Sequence, residues 1–471
     1  MTARASTTTA PLPPGPRSRY PGQLALGMAR DRLGTLSRLA GEYGDVARLT
    51  IAGRHVVLLS HPDLVHDVLV THNRMFAKGR GLEQAKRLLG NGLLTSEGAL
   101  HLRQRRLVQP AFHRERIAGY AATMAAYAER EGARWVDGAT MDVADAMMRL
   151  TLAIAGKTLF DADVEDEARE IGAAITTAIA AFEFALLPFG DQLERLPFSP
   201  RRRFERARDR LDATIYRLVA ERRRDARDRG DLLSMLVQAR DTEADDGRMT
   251  DAQLRDELMT LFLAGHETTA NLLTWTWHLL AGHPEVEHRL HAEVDTVLGD
   301  RTATAEDVPR LPYVRQVLAE SMRLFPPAWV IGRKPLQPYP VAGYEAPTGS
   351  LVLVSQYIVH RDPRWWPAPE RFDPSRWTAE ASADRPRFAY FPFGAGTRVC
   401  IGEQFAWTEG ALVLATLARR WRLRALPGER PALQPSITLR PRGGLRMRVE
   451  RRRGASGVAS MVGGPSVDAM L

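Results

Sequence analysis

The chain has 471 residues, 44% of them apolar, enough for one large core or two ordinary ones. Its net charge is +9, but all except four of the 65 basic residues are arginine and they are scattered, which reads as compositional bias and not as a nucleic-acid face. A single cysteine excludes an internal disulfide framework and a cysteine-built zinc cluster, and fits a reducing, cytoplasmic setting.

Residues 1–20 are Ser/Thr/Pro-rich and carry no apolar stretch for a signal peptide or membrane anchor, so a flexible segment is expected there. VARLTIAGRHVVLLS (46–60) reads as a hairpin turning near Gly53. DTEADDGR (241–248) is a polar loop, too short to separate domains. The clearest helix begins at Thr250, which has capping-box spacing with Gln253, and runs about thirty residues until Gly282 and Pro284 stop it. It is nearly apolar all round, so it is expected to cross the core, and it has no charge-free apolar run long enough to span a membrane. Midway lies AGHETTA (264–270), with a glycine, an acid and two threonines whose hydroxyls can bond back to the preceding turn. Together they read as a helix opened beside a cavity. Ala264 and Thr268, four apart, share the face that leaves room for a ligand.

PYVRQVLAESMRLF gives a second helix ending before Pro326, with Glu320 and Arg323 spaced as a partly buried pair that needs further partners. Arg371, in the irregular PERF stretch (369–372), is the expected third member. VAGYEAPTGSLVLVSQYIV (341–359) reads as short strands. A third helix is expected to start near Cys400 and run through EQFAWTEGALVLATLARRW. Leu445, Met447 and Val449 alternate with charged residues beside the Gly443-Gly444 turn, which predicts a terminal strand. Residues 454–471 read as a flexible tail. The result is an α+β fold, mainly helical, with small sheets toward both ends and a single domain over 21–453.

The lone thiol lies in FPFGAGTRVCIG (391–402). Gly394, Gly396 and Gly402 permit close backbone approach, Arg398 adds charge, and a helix start directs N–H groups at the sulfur, which favours thiolate. No neighbouring histidine supplies a base for a nucleophile. A metal ligand fits better, and one thiolate without companions leaves haem iron, which brings four nitrogens of its own.

At this point the motifs resemble a known family. Phe393, Gly396, Arg398, Cys400 and Gly402 match the F-x-x-G-x-R-x-C-x-G loop of the cytochrome P-450 superfamily. Residues 264–269 match its oxygen-activating helix motif, and Glu320 and Arg323 match its E-x-x-R pair. The resemblance covers about residues 12–450 and implies haem b as cofactor, with Cys400 as the proximal thiolate ligand whose electron push favours O–O cleavage. It implies that Gly402 packs on the porphyrin and Phe393 lies beside the sulfur. His101 (where many members have tryptophan), Arg105, Arg333 and Arg398 then resemble propionate-binding residues, and Ala264 borders the haem. Glu267 and Thr268 resemble the acid–alcohol pair that supplies protons during oxygen activation; His266 has no assigned role.

The implied reaction inserts one atom of O2 into a C–H bond or across a C=C bond, while the other leaves as water. Two electrons come from NAD(P)H through a separate ferredoxin and its reductase, or a flavodoxin; Arg103, Arg106, Arg114 and Arg116 offer a basic docking face. By family position, Leu263, Ala264, Thr268, Ala328, Val330, Ile331 and Ile437 are substrate-lining candidates, and Phe182 and Phe184 precede a lid-like segment. These linings are apolar, and the motifs resemble soluble bacterial members acting on terpenes and fatty acids. A monomeric terpenoid hydroxylase of secondary metabolism is the reading, with a fatty-acid hydroxylase as the alternative. An intact Glu267–Thr268 pair argues against a peroxide-driven peroxygenase and a non-catalytic haem sensor, neither of which needs it.

Overall fold

The computed structural model describes residues 10–161, 201–225, 227–239 and 247–452. The lid-like segment with Phe182 and Phe184 and the 454–471 tail lie outside them. Thr250 caps the long helix Asp251–Gly282 with a reciprocal capping box, as its spacing predicts. The helix is buried around most of its circumference because other helices sheathe it: Val143–Phe160, Arg201–Arg224, Pro312–Leu324 and Glu403–Ala418. Among the described residues, no helix is long and apolar enough to cross a membrane.

The main sheet has five strands, in the order Val46–Ile51, Arg54–Leu59, Leu351–Val354, Ile331–Pro335, Phe76–Lys78. Its first pair is the predicted hairpin. Ile51 pairs with Arg54, so the turn is Ala52-Gly53, and both have positive φ (48° and 76°), as a two-residue hairpin turn with matching twist demands. Arg54–Leu59 then pairs in parallel with Leu351–Val354. At the other end, Arg446–Arg451 buries Met447 and Val449 and lies between Thr140–Asp142 and Trp421–Ala425.

Three expectations are corrected. Residues 356–359 form a helical turn, Gln356–Val359, and the strand stops at Val354. The helix expected near Cys400 starts at Glu403, with Gly402 as its N-cap. The N-terminal segment is not loose throughout: Arg48 N–H donates to the Pro14 carbonyl at 2.7 Å, and Glu345 N–H to that of Pro11 at 3.0 Å. Prolines have no N–H to give, but their carbonyls accept fully, so the segment is tied to two separate strands.

Candidate functional site

The long helix runs unbroken through its middle, where its small residues leave accessible surface. Thr268 Oγ1 donates back to the Ala264 carbonyl at 2.8 Å. Ala264 is exposed and Thr268 partly so, although Leu263, His266, Glu267 and Thr269 around them are buried. Gly265 faces the other way, where an added Cβ would touch Leu159 and Ala155 of the neighbouring helix. His266 is a satisfied core histidine: its Nδ1 lies 2.8 Å from the Phe262 carbonyl, and burial pushes its pKa down. Glu267 is buried and accepts from Thr438 Oγ1 at 2.5 Å.

The long helix and the helix Glu403–Ala418 pack at Leu272 and Gly410, with Thr269 beside Glu409. Burial pushes the Glu409 carboxyl up to about 8, against the opposing pull of the Thr269 hydroxyl. Cys400 lies just before this second helix. Its backbone N–H donates to the Phe393 carbonyl at 2.9 Å, which folds the loop back on itself. Gly396 makes the loop possible: φ is 70°, and a Cβ there would sit 2.0 Å from the Leu69 carbonyl oxygen. Phe393 packs against Trp407, and the Gly402 Cα approaches the sulfur closely enough that a Cβ would lie 4.0 Å from it.

The sulfur combines two properties. It has accessible surface, yet protein mass encloses it. It therefore borders enclosed space, and Ala264 and Thr268 also keep accessible surface. From the protein groups alone, burial pushes the thiol up to about 11, outweighing the Gly402 N–H and the Arg105 charge, while Glu403 adds to the rise. Arg398 does not offset this, because its guanidinium is turned to Glu97 and the Phe76 carbonyl. A thiol so placed becomes a thiolate when a cation binds it.

Beside the loop lies a surplus of positive charge. Arg105 donates to the Val399 carbonyl at 2.8 Å. Arg398 and Arg333 are joined by Lys78, which the sequence reasoning missed. Lys78 and Arg333 are direct partners across the antiparallel pair of Phe76–Lys78 and Ile331–Pro335, an arrangement in which like charges repel. Burial together with Arg398 and Arg333 drives the Lys78 ammonium down to about 7, against the pull of Glu97. Burial and Arg398 bring Arg333 to about 10. Burial and the surrounding cations bring His101 to about 4, so it is neutral, with one ring nitrogen to donate a hydrogen bond and the other to accept one. Glu97 is the one carboxylate acting on both Lys78 and Arg333, and Arg398 Nη1 is buried without a partner. Such a cluster fits a ligand carrying a pair of carboxylates, as the haem propionates do.

Glu320 and Arg323 are fully buried and bidentate, at 2.9 and 2.8 Å. Arg371 is corrected as their third member: it contributes only its carbonyl, which accepts from Arg323 at 3.1 Å, and its residue is exposed. The guanidinium that reaches Glu320 is that of Arg376, at 3.3 Å. Among the substrate candidates, Leu263 is buried, Ala328, Val330 and Ile331 are half-buried, and Ile437 is exposed. Of the proposed docking arginines, Arg116 pairs with Asp228 at 3.2 Å and Arg103 donates to the Arg248 carbonyl at 3.5 Å. A separate concavity of about 540 Å³ is lined by Phe391, Phe393, Trp407, His66, Arg315 and Arg387 among others, with no residue of the long helix.

A family model described as Cytochrome P450 matches residues 13–445. Cyclooctatin synthase of Streptomyces melanosporofaciens is 44% identical over 91% of this chain and 93% of its own length. Cyclooctat-9-en-7-ol 5-monooxygenase of the same organism is 40% identical, covering 82% and 84%. Pentalenene oxygenase of Streptomyces avermitilis is 36% identical, covering 85% and 88%. Among solved structures, the retinoic acid bound cyanobacterial CYP120A1 superposes with a TM-score of 0.85 at 26% identity, over 94% of this chain and all of that one.

Proposed function

Because the chain belongs to the cytochrome P450 family and is a haem-thiolate monooxygenase, we propose that it oxidises an apolar cyclic terpenoid. The observation that carries this is the accessible helix face at Ala264 and Thr268 beside the apolar Leu263, and the partly buried stretch Ala328–Ile331, another candidate lining, carries no charged side chain either. Relatives whose names specify cyclooctat-9-en-7-ol and pentalenene as substrates support the class.

Haem b would be held by Cys400 at the iron, with Arg105, Arg333, Arg398 and His101 about its propionates, while Lys78, whose ammonium donates to the Leu93 and Ser96 carbonyls, adds charge behind them. When bound it supplies the oxygen-activating redox chemistry. The chain supplies the rest. Thr268 gives its one hydroxyl proton to the Ala264 carbonyl, which holds its oxygen in place as an acceptor, and the hydroxyl turns from that carbonyl to pass a proton to the open face. Glu267 acts as the acid behind it. Apolar walls exclude water and orient the substrate. The concavity beside the Cys400 loop, rimmed by Arg315 and Arg387, is suited to an acidic ferredoxin as electron donor.

The test begins with the carbon monoxide difference spectrum of the reduced protein. A strongly red-shifted Soret band is expected, and its loss in Cys400→Ser. Spin-state titrations with pentalenene and with long-chain fatty acids follow. Response to fatty acids alone would overturn the terpenoid assignment.

A further inference from the structure

The acid of the long helix does not stand free. Glu267 is held by Thr438, whose hydroxyl has one proton to give. Asn271 Nδ2 donates to that hydroxyl at 3.0 Å, so its own proton is directed to Glu267 Oε1 at 2.5 Å. All three side chains are buried. Asn271 is one helical turn beyond Glu267, so the two residues grip the hydroxyl from one face of the helix.

Thr438 belongs to a short turn between the paired strands Leu433–Pro435 and Leu439–Pro441. That turn is tied down on both sides. Trp275 Nε1 donates to the Leu439 carbonyl at 3.0 Å, and Trp329 Nε1 to that of Ser436 at 2.9 Å. Leu439 N–H donates to the Pro327 carbonyl at 3.0 Å. The same turn leaves Ile437 exposed, one residue from the acid's partner.

We propose that Thr438 is a positioning residue: its hydroxyl sets the direction of the Glu267 carboxylate, and the 436–438 turn links substrate contact at Ile437 to placement of the acid. The proposal rests on Glu267 being the proton-supplying acid. An unheld carboxylate would deliver protons less efficiently. More of the reduced oxygen would then leave as H2O2, which takes two electrons and two protons, and less would be divided between product and water, which takes the same two electrons and two protons plus two electrons from the oxidised substrate bond.

The experiment uses the haem-loaded full chain with spinach ferredoxin, its reductase and NADPH, and measures peroxide released per NADPH consumed. Thr438→Val is expected to raise this ratio by about threefold to tenfold, the scale of losing one hydrogen bond of ordinary net strength. The carbon monoxide band should be unchanged, and Thr438→Ser should return the ratio to that of the native chain. Glu267→Gln should raise it at least as far. If Glu267→Gln raises the ratio and Thr438→Val does not, the positioning role is overturned while the acid stands. If Glu267→Gln leaves the ratio unchanged, the acid assignment fails and the proposal with it. A Thr438→Ser variant that behaves like valine would mean the methyl group matters and not the hydroxyl, which also overturns it. Should Thr438→Val not take up haem, Asn271→Ala carries the test, since it removes only the amide that orients the hydroxyl; an unchanged ratio there refutes the proposal.

Discussion

Replacing Arg323 by alanine tests what holds the scaffold behind the Cys400 loop. The guanidinium gives two bonds to Glu320 and three to the carbonyls of His360, Pro369 and Arg371, at 2.7–3.1 Å. Glu320 in turn accepts from Asp373 N–H and Trp377 Nε1, both at 3.0 Å. Removing Arg323 leaves a fully buried carboxylate short of its main countercharge, which costs ~3–5 kcal/mol. At ~2 cal/mol/K per residue, a chain of this size loses ~3–6 °C in Tm. The assay is thermal unfolding of the haem-loaded protein at fixed scan rate, followed in the far ultraviolet and at the Soret band. A drop below ~1 °C would refute the reasoning, because Arg323 would then be dispensable to the network. The double variant Glu320→Leu/Arg323→Met is expected to stay below the native chain. Removing both charges still orphans the N–H groups of Asp373 and Trp377 and leaves Arg376 without its carboxylate.

Thr268→Ala should raise peroxide release at the expense of product, with the carbon monoxide band intact; an unchanged ratio removes Thr268 from the proton route. Glu409→Gln should change how stability depends on pH. Its folded pKa of about 8 lies above the unfolded value, so its contribution is full below about 4.5 and is lost as pH rises through about 8. The glutamine variant should therefore gain on the native chain between those limits, and parallel urea curves would sink the idea. Gly396→Ala should abolish the red-shifted band, because its Cβ meets the Leu69 carbonyl oxygen, whereas Gly428→Ala, at a similar φ of 78° in open space, should keep it.

Features within one element were legible in the sequence. The Thr250 cap, the Ala52-Gly53 turn and the Cys400 loop are all written in residues that touch their own neighbours. What was not legible depends on meetings across the chain. Lys78 joins Arg333 through a strand register, and neither local pattern announces it. Thr438 meets Glu267 from 171 residues away. Arg371 and Arg376 sit five residues apart in an irregular stretch with no period to say which one faces inward. At Cys400 the local charge could be read from the sequence, and the desolvation that opposes it could not. His266 was given no role from the sequence, and the structure shows it satisfying itself on the preceding turn of its own helix.

The parallel pairing of Val56–Leu59 with Leu351–Val354 has a consequence for biosynthesis. The partners are separated by nearly 300 residues, so at ~5–20 residues per second the first strand leaves the ribosome ~15–60 s before the second exists. During that wait the nascent hairpin carries an open edge of Val56, Val57, Leu58 and Leu59, four apolar residues in an extended backbone. Chaperone engagement during translation is therefore expected to concentrate on this early strand. Expression yield should respond to synthesis rate downstream of residue 59 more than to the stability of the finished fold.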